Sequence, residues 1–258
     1  MELAGYLLPL LNALWWPFVR NLALLSSAPI IGDTMVPMPV RVLLSLVLAF
    51  LLLPVTSGNA DVDPFSMLGV VATIEQAVIG GVIGLALHFS MAVISMVGYL
   101  VSSQIGFAMA QMNDPVNGSS SDVVSILLTM LAILVFFSID GHLVLAGVMG
   151  ASFKAWPVGQ GYGPMLLNAV AFNVAWIFAA AMLLALPIVF STMVVQIGFG
   201  FLNRVAPALN LFSLGFSLTT VFGLLMLIQV VQFLPEHYIA MTNQVLDLLR
   251  QQMGAARG

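Results

Sequence analysis

The longest apolar stretch of this chain covers residues 65–112 and reads FSMLGVVATIEQAVIGGVIGLALHFSMAVISMVGYLVSSQIGFAMAQM. Glu75 and His88 lie inside it, but it holds no Asp, Lys or Arg, and no proline interrupts it. A helix rises about 1.5 Å per residue, so a helix of this length would far exceed the roughly 30 Å hydrocarbon core of a bilayer. The stretch therefore predicts membrane-embedded helix that is too long for one perpendicular span.

The composition excludes several classes of protein. Of the 258 residues, 61% are hydrophobic and 6% are charged, whereas roughly 25% are charged in a soluble domain. The net charge is −4, and the sequence has no basic patch for a nucleic-acid backbone. With a mean hydropathy of +1.12, the chain reads as an integral membrane protein, not as a soluble enzyme, a nucleic-acid binder or a disordered chain. Cysteine is absent, which excludes disulfides and thiolate chemistry.

Helix-breaking residues divide the remaining apolar sequence into further segments. The prolines Pro17, Pro54 and Pro187 interrupt or end these segments. Asp140-Gly141 is a turn signal, so the segment that contains it forms either a short hairpin or one long helix. Because the segments are broken or overlong, we expect an all-α integral membrane protein made of helical hairpins packed in an assembly, and not six regular spans. The other segments cover about residues 3–31, 40–53, 123–151, 165–202 and 208–234.

Two polar loops and an amphipathic tail separate or follow the apolar segments. The loops cover residues 56–64 and 113–121, and both contain turn-forming residues. After Pro235, apolar residues recur at helical spacing between polar ones; they are Tyr238, Met241, Val245, Leu248 and Leu249. We expect this tail to form an amphipathic helix that lies on a membrane surface or, slightly preferred because it lacks a basic face, on a partner protein.

Ionisable residues within apolar segments are functional candidates by default because they are costly to embed in a membrane. A proton or ion path is one interpretation, but Glu75 and His88 are thirteen residues apart and face different sides of a helix. Buried, paired groups that fix subunit contacts are the favoured alternative. No catalytic constellation, metal-ligand cluster or phosphate loop is present, so we expect no catalytic site, metal or cofactor. The candidates are Arg20, Glu75, His88, Asp140, His142 and Arg204.

Small residues and methionines suggest how the helices pack. Gly80 and Gly84 form a G-x-x-x-G step, which lets two helices approach closely. Met109 and Met112 precede the second polar loop, and flexible methionine can seal a deformable gap, although ordinary core filling is the simpler interpretation.

Short motifs, in order along nearly the whole chain, resemble the FliR/SctT family, the R component of the type III export gate. They are residues 16–20 (WPFVR), 27–29 (SAP), 36–41 (VPMPVR), 75–84 (EQAVIGGVIG), 104–109 (QIGFAM), 114–115 (DP), 141–142 (GH), 200–207 (GFLNRVAP) and 210–216 (NLFSLGF). Pro54 and Gly98 also fit the pattern. Asp140 departs from it, because asparagine is the more usual residue before Gly-His.

The resemblance implies a multi-pass protein of the bacterial inner membrane, located at the flagellar basal body. It implies a P-like part at about residues 1–160, a Q-like hairpin at about 161–235 and the amphipathic C-terminal helix at 236–258. The implied partners are FliP and FliQ in a hetero-oligomeric membrane complex, FlhB on its cytoplasmic side, unfolded exported proteins and membrane lipids, with no nucleic acid. The homologous injectisome gate is an alternative to the flagellar one.

The resemblance also implies two groups of site residues. A plug that closes the pore matches the second polar loop and its approach, with Gly106 as hinge; its residues are Gly106, Phe107, Met109, Met112, Asn113, Asp114 and Pro115. A second group is expected to hold the subunits together, and comprises Arg20, Glu75, Gly80, Gly84, Gln104, Arg204, Pro207, Asn210, Phe212 and Gly215. A competing hypothesis is a stand-alone transporter of a small solute that uses Glu75 or Asp140. A membrane enzyme is disfavoured because no nucleophile–base pair is present.

Overall fold

The computed structural model describes residues 2–33, 36–56, 62–107, 112–113, 120–161, 164–205 and 211–255, which fold almost entirely into helices. Seven helices lie in these described ranges: α1 (Glu2–Ser27), α2 (Met38–Thr56), α3 (Met67–Ile105), α4 (Val123–Ser138), α5 (Gly141–Ala155), α6 (Pro164–Val205) and α7 (Leu211–Ala255). Two short strands, β1 (Met112–Asn113) and β2 (Ser120–Ser121), pair antiparallel, with Met112 opposite Ser121. The all-α prediction is confirmed.

Several helices are long and apolar enough to cross a membrane. Within the described residues, three stretches meet this criterion by themselves, Met67–Ile105, Val170–Val205 and Gly215–Ala255, and the pair α4–α5 meets it as one broken span. The expectation of a multi-pass membrane protein is thereby confirmed. As the sequence predicted, α3 is one overlong helix of 39 residues.

Prolines interrupt the helices less than expected. Pro17 lies inside α1, Pro54 inside α2, Pro187 inside α6 and Pro235 inside α7. The expected helix break at Pro17 and the expected helix ends at Pro54 and Pro235 are therefore wrong. A proline removes one backbone N–H donor, and membrane helices tolerate this loss because neighbouring groups re-satisfy the freed backbone. One apolar segment with an internal proline can therefore remain a single helix.

The C-terminal helix also differs from the expectation. Its apolar stripe is the tail of α7, and Tyr238, Met241, Val245 and Leu249 are buried within the chain itself. The stripe therefore needs neither a membrane surface nor a partner to cover it, contrary to both sequence-based interpretations.

The turn signal at Asp140-Gly141 left open a short hairpin or one long helix, and the structure shows two helices separated by a break. Asp140 adopts the left-handed conformation, with φ 56° and ψ 34°, and its side chain makes no capping hydrogen bond to α5. The break bends α4 and α5 relative to each other by 68°. A non-glycine residue at positive φ is strained, and Asp and Asn tolerate this region better than other non-glycine residues. Local backbone preference therefore explains the residue type at this corner.

The effect of a substitution at Asp140 on stability is expected to depend on how well the new residue tolerates positive φ, and not on its charge. Asp140→Gly should stabilise the chain by up to about 1 kcal/mol and Asp140→Asn should be neutral, whereas Asp140→Val should destabilise it by about 1–3 kcal/mol. Thermal unfolding of the purified protein in detergent measures this order. Equal stability of the valine and glycine variants would contradict the prediction.

The chain divides into two compact units. The first contains Met1–Phe89, Phe136–Asn173 and Thr242–Gly258, and the second contains Ser90–Val135 and Val174–Met241.

In the first unit, α1 and α3 approach closely at the predicted glycine step. A Cβ atom at Gly80 would collide with the Arg20 carbonyl oxygen, and one at Gly84 would lie 3.0 Å from the Ala28 nitrogen. Ser27 Oγ donates a hydrogen bond to the Gly81 carbonyl oxygen at 2.9 Å. The step thus packs two helices of the same chain, as the packing interpretation of the G-x-x-x-G motif expects.

In the second unit, the C-terminal half of α3 packs on α4 in a similar way. A Cβ atom at Gly98 would lie 2.8 Å from the Ser125 backbone nitrogen. Ser125 Oγ donates to the Ser95 carbonyl oxygen at 2.9 Å, and the Ser95 and Thr129 hydroxyls lie 3.2 Å apart. Polar groups of the two apolar helices therefore satisfy one another at a close contact.

Candidate functional site

At the C-terminal end of α3, the predicted hinge residue Gly106 has a defined conformation and position. Gly106 follows the helix with φ +84°, and a Cβ atom at this position would lie 2.5 Å from Cε2 of the Phe216 ring. Both the backbone conformation and the space beside it therefore favour glycine.

Helix α7 holds this hinge in place. The Thr220 hydroxyl lies 2.9 Å from the Ile105 carbonyl oxygen and 3.0 Å from that of Phe216, and it shares its proton between them. The Ile105 carbonyl is one of the last in α3 and lacks a partner within the helix. Since Ile105 is also buried, the point at which the chain leaves α3 is tied to α7.

A cavity of about 420 Å³ adjoins the hinge, within the second unit. Its lining contains three carboxamides, Gln104, Gln196 and Asn203, and none of them has a hydrogen bond to another described residue. No charged side chain lines it. The cavity therefore offers hydrogen-bond donors and acceptors without net charge. Its other lining residues are Ser103, Ile105, Gly106, Phe199, Gly200, Gly215, Phe216 and Thr219.

This cavity brings together three motifs that are far apart in the sequence. Residues 104–106 come from the end of α3, residues 200 and 203 from the end of α6, and residues 215–216 from the first turns of α7. The predicted site residues Gln104, Gly106 and Gly215 thus lie at one place. The sequence indicated each of these motifs but not their convergence.

Part of the predicted plug lies outside the described residues. Met109, Asp114 and Pro115 are in this group, as are the predicted assembly residues Pro207 and Asn210. Phe107 follows the hinge, and the backbone of Met112 and Asn113 forms β1. Phe212 lies in the first turn of α7, and its side chain is not described. The plug role of this segment stays a prediction.

Arg20, predicted as an assembly residue, is the centre of a buried cluster in the first unit. Its guanidinium donates to Gln76 Oε1, with Nε at 2.8 Å, to Ser152 Oγ at 3.2 Å and to the Trp156 carbonyl oxygen at 2.7 Å. The Arg20 Cζ atom also lies 3.9 Å from the centre of the Phe153 ring, a cation–π distance. One fully buried cation therefore joins α1, α3 and the end of α5.

Gln76 connects the Arg20 cluster to Glu75 by hydrogen bonds. While its Oε1 accepts from Arg20, its Nε2 lies 3.4 Å from Glu75 Oε1 and donates to it. The Glu75 carboxylate interacts electrostatically with Arg20 and accepts a hydrogen bond from the backbone N–H of Gly161. The charge of Arg20 is thus balanced inside the chain, and the two side chains hold both ends of the segment 156–161.

Other sequence candidates are more exposed. Arg204 is exposed in the last turn of α6, where a cation is favourable beside the helix C-terminus. His88, Asp140 and His142 are also exposed. Among the described residues, no group of three or more His, Asp or Glu side chains is placed to hold a metal ion.

Sequence reasoning missed several residues of these sites. Ser152, Phe153 and Trp156 were not singled out, although all three complete the environment of Arg20. Thr220, which holds the end of α3, was also missed. A hydroxyl or aromatic residue in an apolar helix is too common a signal to identify such partners.

Comparisons with known proteins agree with the motifs. Residues 11–245 match the family described as bacterial export proteins, family 1. The flagellar biosynthetic protein FliR of Pectobacterium carotovorum subsp. carotovorum is 34% identical over 91% of this chain and 90% of its own length. FliR of Escherichia coli strain K12 is 31% identical over 93% and 92%, respectively. The Yop proteins translocation protein T of Yersinia pestis is 26% identical over 65% of each chain. The chain therefore belongs to the bacterial export proteins of family 1, together with the flagellar biosynthetic FliR proteins.

Proposed function

We propose that this chain is a structural and gating subunit of the flagellar type III protein export gate, and not an enzyme. The observation that carries the proposal is the family match, which covers residues 11–245. The membrane-span helices and the fixed hinge at Gly106 support it, because a gate needs an anchored frame and a defined point from which a closing segment leaves.

The partners in this proposal are FliP and FliQ, with which the chain would complete a channel, and FlhB on the cytoplasmic side. Large apolar side chains on α6 are exposed along its length, including Phe172, Phe178, Phe190 and Phe201. Exposed apolar side chains of this number need lipid or neighbouring subunits to cover them. We assign residues 1–160 to the P-like part and residues 161–235 to the Q-like hairpin.

The exposed Arg204 and the nearby Pro207, Asn210 and Phe212 are proposed as contacts with a neighbouring subunit. Arg204 has no ion pair with another described residue, so it is available to a partner. By contrast, the hydrogen bonds described for Arg20 and Glu75 lie within the chain, which favours an indirect effect of these two residues on assembly.

We assign the closing of the pore to the segment that leaves α3 at Gly106, with Met109 and Met112 as its deformable seal. The segment contains no Lys or Arg, so it would offer little electrostatic hold on a passing polypeptide. Methionine adapts its shape to an irregular gap, which suits a seal that must open and close around varied side chains.

Deleting residues Asn113 to Ser120 is expected to raise ion leakage through the assembled gate, because the pore would lose its plug. Conductance across membranes that contain the complex measures the leak. The control deletes Ser57 to Ala60 in the other polar loop and should leave conductance unchanged. Normal assembly with unchanged conductance in the first variant would contradict the plug role.

The experiment that tests the function itself is co-purification of a tagged copy from native membranes. Recovery of FliP and FliQ supports the flagellar gate, whereas recovery of injectisome subunits contradicts its flagellar part. Solute uptake by the purified chain alone in vesicles would overturn the proposal in favour of a stand-alone transporter.

A further inference from the structure

The end of α3 meets α7 at one further residue, Gly223. A Cβ atom at this position would collide with Cγ2 of Ile105, would lie 3.0 Å from Ile105 Cβ and would lie 3.7 Å from Thr192 Cγ2 on α6. Carbon atoms at their best separation are about 3.5–4.0 Å apart, so glycine alone fits between these helices without a shift. Ile105 is buried, and its Cγ2 branches directly from Cβ, where rotation in a helix is restricted. Any larger residue at position 223 would therefore move the end of α3 or α7.

Gly223 completes a row of three residues on α7 that hold the last residues of α3. Phe216 lies against Gly106. The Thr220 hydroxyl lies 2.9 Å from the Ile105 carbonyl oxygen, and Gly223 faces the Ile105 side chain. Spacings of four and three residues place this row on one face of the helix. One face of α7 therefore contacts both the backbone and the side chain at the exit from α3.

Helix α3 is held by α4 at a different place. The close contact with α4 is at Gly98, where a Cβ atom would lie 2.8 Å from the Ser125 nitrogen. Gly98 lies seven residues before Ile105, which is about 10 Å at the helical rise. Because the two contacts are separate, α4 fixes the body of the C-terminal half of α3, whereas α7 fixes its exit.

We propose that Gly223 and Thr220 are positioning residues of the gate, which set the direction in which the chain leaves α3. A displacement of α7 relative to α4 then moves the exit, so the hairpin of α6 and α7 controls how the gate closes. This inference rests on the proposed gating function, and it assigns to the hairpin a control of gating in addition to contacts with neighbouring subunits.

The test uses the assembled membrane complex with Gly223→Ala in this chain. Alanine should push α7 and the exit apart, and ion conductance should rise several-fold. Since the chain has no cysteine, spin labels attached through Phe107→Cys and Leu134→Cys report the distance from the exit to an exposed site on α4. We expect this distance to shift beyond its spread in the otherwise unmodified chain. Gly198→Ala, which adds a methyl group in open space, should change neither conductance nor distance.

Two further variants separate positioning from a loss of stability. Thr220→Val keeps the shape of the side chain but removes the hydrogen bond, so it should give a smaller leak and remains testable if Gly223→Ala does not assemble. Adding Ile105→Leu to Gly223→Ala removes the Cγ2 atom that would collide, and should restore most of the original distance and conductance. A general loss of packing would not be repaired by this second change.

An unchanged label distance in complexes with Gly223→Ala, or a leak that Ile105→Leu did not reduce, would overturn the proposal. The deletion of Asn113 to Ser120 distinguishes this failure from failure of the proposed function. If the deletion leaks and Gly223→Ala does not, positioning by α7 is wrong and the plug role stands. If the deletion does not leak but the label distance shifts and Ile105→Leu restores it, the plug role is wrong and positioning of the exit by α7 is supported.

Discussion

Arg20→Met is expected to destabilise the folded chain by about 3–5 kcal/mol, because it removes one side of a buried charge arrangement and leaves the other side uncompensated. The guanidinium of Arg20 is fully buried and donates to Gln76, Ser152 and Trp156. Methionine is similar in length but can make none of these bonds, so Glu75 and the Trp156 carbonyl would lose their compensation. Thermal unfolding of the purified complex and the abundance of the chain in membranes measure the loss.

Two further variants provide an intermediate case and a control for this prediction. Arg20→Lys keeps the charge but not the planar fork of donors, so it should recover only part of the stability. Arg250→Met removes an exposed arginine whose partner is Asp247, at 3.0 Å, with side chains 74% and 63% exposed. An exposed pair contributes at most about 1 kcal/mol, so this control should remain close to the unmodified chain.

A double-mutant cycle distinguishes charge balance from simple packing loss. If Arg20 and Glu75 compensate each other, Arg20→Met combined with Glu75→Gln should destabilise the chain less than the sum of the two single changes. Strict additivity, or a loss no larger than that of Arg250→Met, would show that the Glu75 carboxylate does not depend on Arg20.

The sequence predicted features that give a local signal better than features that depend on residues far apart along the chain. Local sequence signals pointed to a possible turn at Asp140-Gly141 and to close packing at the glycine step of α3, and the structure shows a break at the first and a contact with α1 at the second. The role of Gly80 and Gly84 in holding subunits together stays a prediction. The partners of Arg20 lie 56, 132 and 136 positions away along the chain. Since apolar helices can pack in many orders, no local pattern identifies such partners.

The wrong predictions also concern features that depend on tertiary packing. Proline was expected to end α2 at Pro54 and to separate the C-terminal helix at Pro235, whereas both helices continue through their proline. The stripe that begins at Tyr238 was expected to lie on a partner protein or a membrane surface, although the chain itself buries it. A periodic apolar face shows that something covers a helix, but its sequence does not show what.

The convergence at the hinge is the most informative tertiary result. Family resemblance pointed separately to Gln104, Gly106 and Gly215. The structure places all three on one uncharged cavity, beside the Phe216 ring that restricts Gly106. A change at Gly106 should therefore act on the position of the whole following segment.

Gly106→Val is expected to make the assembled gate leak ions and to impair export. Valine at φ +84° is strained by about 1–3 kcal/mol, and its Cβ atom would press on the Phe216 ring. The hinge can relieve both effects by changing its backbone angles or by displacing Phe216, and either change redirects the segment proposed to close the pore. Membrane conductance and export of flagellar subunits, measured in parallel, report the effect.

Control variants separate the two expected effects of Gly106→Val, which are backbone strain and contact with the Phe216 ring. Gly198→Ala places a methyl group in open space on α6 and should be neutral or stabilising by up to about 1 kcal/mol. Gly106→Ala should fall between this control and Gly106→Val, and adding Phe216→Ala should relieve the steric contact but not the backbone strain. If Gly106→Ala retained the conductance, export and stability of the unmodified gate, the left-handed hinge would have no part in closing it. If Phe216→Ala fully removed the leak caused by Gly106→Val, contact with α7 would determine the direction of the closing segment. Backbone conformation at residue 106 would then not determine it.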